Sequence, residues 1–183
     1  MTRKFFSPVK YLSLCLIGLS AVVLPYFPSE KERTSDAITS QTIQKLQKEK
    51  DLQAIGTGGQ MMNEIEMLHI AFRYFHEVSL EEGRELMVYA IDTYLDAINK
   101  NEKIRPYLKK YPFTAKNLEI EIWIKKPDFT DVPVGKICGV LLRHGRIGYQ
   151  PQGTHEYKFE PLCLQESYEE SLKILDKAKK NSA

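Results

Sequence analysis

The groups in this chain that bear on chemistry are three cysteines, four histidines and an unusually basic, aromatic loop. Cys138 and Cys163 lie in the globular part of the chain. In an oxidising compartment a bond between them would stabilise by about 3.5 kcal/mol through chain entropy. The alternative is two buried free thiols in adjacent apolar strands, and the Cβ geometry that decides between them is not a property of spacing. A catalytic Cys–His pair lacks the helix N-terminus that would lower the thiol pKa. His69, His76, His144 and His155 form no HxxxH or HExxH spacing, and the chain contains no CxxC. His144 and His155 with Glu156 would leave a zinc site one ligand short, so no metal is expected, and no cofactor. Gly56-Thr-Gly-Gly59 lacks the Lys-Ser/Thr of a phosphate loop and reads as a turn or bulge. Glu119 and Glu121 share a strand face, where carboxylates two residues apart are ordinarily solvated charge.

The basic loop, residues 101–117, is the distinctive candidate site. Lys103, Arg105, Lys109, Lys110 and Lys116 face one acid, Glu102, with Tyr107, Tyr111 and Phe113 interleaved and Pro106 and Pro112 between them. Cations alternating with aromatics grip anionic polymers by charge and stacking. In an exported protein the matching anion is a lipid headgroup or an envelope polymer. The competing reading is a helix-to-strand connection with packed aromatics and solvated lysines. Arg143 and Arg146, flanking His144 at a turn, form a smaller cationic tip that would extend the surface if it folded toward this loop.

Several elements must position these groups. Leu68, Ile70, Phe72 and Tyr74 alternate with His69, Ala71 and Arg73, the period of a strand. Ser79-Leu-Glu-Glu82 has capping-box spacing and opens a helix to about Asn99, with Met87, Ala90, Ile91, Tyr94 and Ile98 in its apolar stripe. Residues 117–124 alternate again, Leu118, Ile120, Ile122 and Ile124 against Glu119, Glu121 and Trp123. Residues 136–142 are apolar on both faces and read as a central strand. Arg143-His-Gly-Arg146 turns them back into 147–149 as a hairpin, and 156–159 make a shorter strand. A second capping box, Ser167-Tyr-Glu-Glu170, opens a closing helix with Tyr168, Leu172 and Leu175 inward. This order predicts an α+β domain: an antiparallel sheet of four to five strands, with the long helix and the C-terminal helix on one face.

The 183 residues suffice for one domain plus an extension, and 43% hydrophobic with 27% charged residues excludes a disordered polymer. Residues 1–10 are basic and acid-free, and Tyr11–Leu24 is an uncharged run that Tyr26 and Phe27 extend to residue 27. Residues 1–28 therefore read as a signal peptide or an uncleaved signal-anchor, with the remainder across the inner membrane. From Ser29 onward 23 basic residues meet 24 acidic ones, so the basic excess belongs to the leader and no nucleic-acid footprint is present. Residues 29–52, with five basic and five acidic groups and no aromatic, read as a flexible or weakly helical tether. The domain is then 53–178, with a short tail at 179–183.

Ala97–Leu108 and Tyr111–Ile120, together with Gly58–Met62, His69–Glu85 and Glu166–Glu170, resemble a group of small bacterial proteins that carry an N-terminal signal or anchor and occur in host-associated bacteria. The resemblance covers most of residues 56–172. It implies an exported domain and carries over no activity and no catalytic residue. The expectation is a non-enzymatic binding module of the cell envelope, anchored facing the periplasm or released after signal cleavage. Its partner would be an anionic envelope component or another envelope protein. The alternative is an envelope- or host-directed hydrolase, whose site would be formed by His69, Arg73 and an acid converging only in three dimensions.

Overall fold

A computed structural model describes residues 27–153 and 163–181. The leader, the strand expected at 156–159 and His155 lie outside them, apart from the last two leader residues. The described residues are α+β, an open six-stranded sheet with three helices. Helix α1 (Glu30–Lys50) is followed by strands β1 (Gln53–Gln60) and β2 (Met67–Tyr74) and helix α2 (Leu80–Lys100). Strands β3 (Leu118–Ile124), β4 (Ile137–Arg143), β5 (Arg146–Pro151) and β6 (Leu164–Ser167) then lead into α3 (Tyr168–Asn181). The strands lie side by side in chain order.

The sheet is mixed, which corrects the antiparallel expectation. β2 and β3 run parallel, Leu68 beside Leu118 and Tyr74 beside Ile124, and every other neighbouring pair is antiparallel. A hairpin turn reverses the chain, whereas α2, roughly 30 Å long at 1.5 Å per residue, carries it back to the start of β2 before β3 begins. The two additional strands are at the edges. Gly56-Thr-Gly-Gly59 is a strand, not a turn, with a register shift between Ala54 and Gly56 as its bulge. β6 holds the residues just before the second capping box.

All three helices cover one face. Phe72, Leu118, Ile120, Ile122, Val140, Leu142, Ile147 and Tyr149 point into a single core and are fully buried, together with Met87, Ile91, Tyr94 and Ile98 of α2. Gly83 lets α2 approach the sheet, since a Cβ there would stand 3.3 Å from Val140. The capping boxes at Ser79/Glu82 and Ser167/Glu170 are both formed.

The segment read as a tether is instead part of the domain. α1 has its own capping box at Ser29/Glu32 and ends on Asp51 in the left-handed region. Its buried residues are Ser35, Ile38, Thr39, Thr42 and Leu46, at helical spacing. Three of the five are hydroxyl residues, so the stripe does not register as apolar. Each is satisfied: Ser35 donates to Met61 Sδ at 3.5 Å, Thr39 Oγ1 meets the Tyr94 hydroxyl at 2.7 Å, and Thr42 donates to the Ile38 carbonyl. Lys31 Nζ donates to the carbonyls of Met61, Met62 and Asn63 at 2.5, 3.0 and 3.1 Å, fixing the start of α1 to the β1–β2 connection.

The far edge is held by a buried ion pair. Arg84 of α2 donates through Nε and Nη2 to Glu166 of β6 at 2.7 and 3.1 Å, with side chains only 5% and 8% exposed. The same carboxylate accepts from the Tyr149 hydroxyl at 2.8 Å and the Ser171 hydroxyl at 2.7 Å. Burial alone would raise the Glu166 pKa, but these hydrogen bonds from Arg84, Ser171 and Tyr149 outweigh it and hold it below the usual 4.5. Its stabilising contribution is therefore complete above the ordinary glutamate value and is lost as pH falls through the lower folded-state value. Urea titrations should find Arg84→Met less stable by about 3–5 kcal/mol at pH 7, because a carboxylate is left buried without its cation. Glu166→Gln should lose stability at pH 7 and flatten the acid limb of the stability–pH profile.

Candidate functional site

The basic loop is firmly built into the fold. Ile104, Leu108, Phe113 and Ala115 are buried, and two short 3-10 turns, Arg105–Tyr107 and Ala115–Asn117, frame it. Leu108 bridges to Ile65, with the Ile65 amide donating to the Tyr107 carbonyl and the Lys109 amide to the Ile65 carbonyl. Asn99 clamps the Phe113 backbone with both ends of its amide, at 3.0 and 2.8 Å.

Several of its charged groups are engaged. Lys109 pairs with Glu66 at 2.8 Å. Arg105 lies 4.0 Å from Glu102 and stacks over the Tyr111 ring at 5.0 Å. Tyr107 donates to Glu30 at 3.3 Å. Lys103 and Lys110 are exposed and have no ion-pair partner among the described residues. Thus Phe113 packs as a connection would require, Tyr107 is half-buried and Tyr111 stays exposed, while part of the positive charge remains free.

The hairpin tip does come to the same end of the molecule. His144 and Gly145 both have positive φ, 52° and 76°, as a two-residue turn between right-twisted strands demands. A Cβ on Gly145 would stand 2.9 Å from Lys116 Cγ, so the tip abuts the last residue of the basic loop's cation series. Arg143 and Arg146 stand directly opposite each other. Their repulsion is offset by separate carboxylates: Arg143 donates to Glu121 at 2.7 Å, and Arg146 sits in the field of Glu170.

The sheet face opposite the three helices holds an arrangement that spacing did not reveal. Glu121 accepts from Arg143 Nη2 on one oxygen and from Trp123 Nε1 at 3.0 Å on the other. Burial would raise the Glu121 pKa, but the hydrogen bonds from Arg143 and Trp123 prevail, aided by the positive charge of Arg143, and hold it below 4.5. The Trp123 ring lies across Gly139, where a Cβ would be 3.1 Å from its six-membered ring. The signal in the sequence was the Glu-x-Trp pair on one face. The missing information was the β3–β4 register that delivers Arg143 to it.

His69 is half-buried on this same face. The His69–Arg73–acid convergence that a hydrolase reading needs is not assembled. Arg73 turns toward the Phe129 ring, 5.3 Å from its centroid, and Glu121 is committed to Arg143 and Trp123. His76 is exposed and lies 3.4 Å from Asp51. Among the described residues no group of three His, Cys, Asp or Glu could hold a metal ion.

Cys138 and Cys163 are free thiols. They belong to opposite sides of β5: Cys138 is in β4, and Cys163 leads into β6 with its amide on the Tyr149 carbonyl. Two strand spacings are roughly 9–10 Å, beyond the reach of a disulfide. Burial raises the Cys138 pKa, while Cys163 is exposed.

In a Cys15→Ser background, a colourless thiol reagent releasing a chromophore should therefore react in two phases. Cys163 should be at least tenfold faster than Cys138, and a single reactive phase would contradict this arrangement. Trp123 is the only tryptophan, so its fluorescence reports on Glu121. The acid-side fluorescence transition should lie below pH 4.5 and move upward in Arg143→Ser, which removes the cation that depresses the carboxyl pKa. Comparison with protein-family models, with curated proteins and with solved structures finds no match.

Proposed function

We propose that this chain is a non-enzymatic interaction module of the bacterial cell envelope. Its first 28 residues direct it across the inner membrane. It works there either anchored through residues 11–27 and facing the periplasm, or in the periplasm or outside the cell after signal cleavage. Its partner is another envelope protein, met on the sheet face that the helices leave uncovered.

The observation that supports this most directly is the one-sided fold: three helices share one layer, and the opposite face carries the fixed Arg143–Glu121–Trp123 set. A partly exposed indole held in one orientation, beside charges of both signs, is the composition of a protein-binding patch. Arg73 and Arg143 alternate there with Glu119 and Glu121, a mixed pattern that favours a protein surface over a uniformly charged polymer.

A photo-crosslinking residue placed at Glu119 or Gln165 on the sheet face should yield one defined adduct in the native host. The same residue at Lys45 or Glu85, on the helical side, should not. Trp123→Ala should lower the adduct yield at least tenfold. Equal yields from both faces, or adducts only from the helical side, would remove the sheet face from consideration.

A further inference from the structure

Four features converge on the end of the domain where α1 begins. First, α1 starts at Glu30, three residues after Phe27, the last residue of the apolar run, so no flexible tether separates that run from the domain. Second, α1 and α2 run antiparallel, with Glu49 meeting Tyr89, Thr39 meeting Tyr94 and Glu30 meeting Tyr107, which brings the basic loop to the start of α1. Third, Arg33 and Lys103 line one open cavity of ≈ 430 Å³ between α1 and the residues after α2. Arg33, Lys103 and Lys110 are exposed, with no ion-pair partner among the described residues. Fourth, exposed apolar side chains gather at the same end: Phe27 (81%), Met62 (94%), whose carbonyl is held by Lys31 at the start of α1, and Tyr111 (51%).

We infer that this end of the domain lies on the membrane surface, with Arg33, Lys103 and Lys110 on anionic phospholipid headgroups and Phe27, Met62 and Tyr111 at the interface. The inference rests on the leader acting as an anchor. Given that anchor, the connection of two residues, Pro28 and Ser29, leaves the domain nowhere else to sit. Basic side chains close to an anionic bilayer each attract it by a few-fold in equilibrium terms, and aromatic rings prefer the headgroup level. The opposite end of α1, roughly 30 Å away, is several Debye lengths from that surface. Lys45 and Lys48 there make no such contact.

The test uses the full chain, with its three cysteines replaced by Ser and Met62 replaced by Cys carrying an environment-sensitive dye. It is reconstituted into vesicles of neutral phosphatidylcholine, or of the same lipid with 30% phosphatidylglycerol added. Retention after alkaline extraction reports the anchor by itself. With the anionic vesicles, the dye should shift to the blue and be quenched by brominated lipid, and 0.5 M NaCl should reverse both effects. Substituting Arg33, Lys103 and Lys110 together by Ser should lower the docked-to-undocked ratio roughly 100-fold, at a few-fold to fivefold per cation. Substituting Lys45 and Lys48 by Ser should leave it unchanged. Equal quenching with neutral and anionic vesicles, or no response to the triple substitution in a chain that is retained, would overturn headgroup recognition. A chain that extraction removes would instead overturn the anchor on which it rests.

Discussion

A charge taken out of water must meet its partner or the fold does not close, and the Arg84–Glu166 pair imposes that condition here. Glu166 is the only carboxylate among the buried residues described, and Arg84 is the only guanidinium. Their contact ties α2, at the centre of the helical layer, to β6, the last strand of the sheet. Tyr149 and Ser171 complete the carboxylate's hydrogen bonds from β5 and α3. Four elements are thus held in one geometry by a group that tolerates few others, because misplacing any one leaves a buried polar atom unpaired. The short edge strand β6 and the closing helix, which bury little apolar surface of their own, depend on it most.

That constraint also helps keep the fold one-sided. With α2 committed to the sheet at Gly83 and Arg84, α1 packs beside it and α3 joins it through Tyr168, which donates to Asp92. The opposite face of the sheet is left with half-buried polar and aromatic side chains on a floor that includes Gly139 and Gly148. Order on this face comes from Glu121, whose two oxygens hold Arg143 and the indole of Trp123. An exposed sheet face with its largest side chains already oriented has little conformational entropy left to lose on binding.

α1 changes the organisation of the chain more than any other element. Its Ser/Thr-rich stripe turns an apparent spacer into the first layer of the core, so the packed unit begins at Glu30 rather than near residue 53. Small hydroxyl residues allow close helix approach while meeting their own hydrogen-bonding needs through Tyr94 and a backbone carbonyl. The signal available in the text was the Ser29-x-x-Glu32 capping box, identical in kind to the two that marked α2 and α3. Apolar periodicity gave only a thin signal there, Ile38, Ile43 and Leu46, because the rest of the buried stripe is Ser and Thr.

Alternation and capping chemistry made much of the fold legible. β2 and β3 follow from period-two alternation, the β4–β5 hairpin from a run apolar on both faces and the turn at Arg143-His-Gly-Arg146, and α2 and α3 from Ser-x-x-Glu starts and apolar stripes, because these patterns act between residues close in the chain. The α+β class, the inward sets Leu68–Ile70–Phe72 and Leu118–Ile120–Ile122–Ile124, and the outward Glu121 and Trp123 were therefore all determined locally. What required tertiary structure was every feature that joins distant segments. The parallel β2–β3 register depends on how far α2 carries the chain. Arg84 finds Glu166 across 82 residues, and Cys138 and Cys163 are kept apart by the intervening β5. The basic loop meets the start of α1 only because the two helices run antiparallel. Side-chain identity sets what each group can bond to, but which partner lies within 3 Å is decided by where the backbone returns.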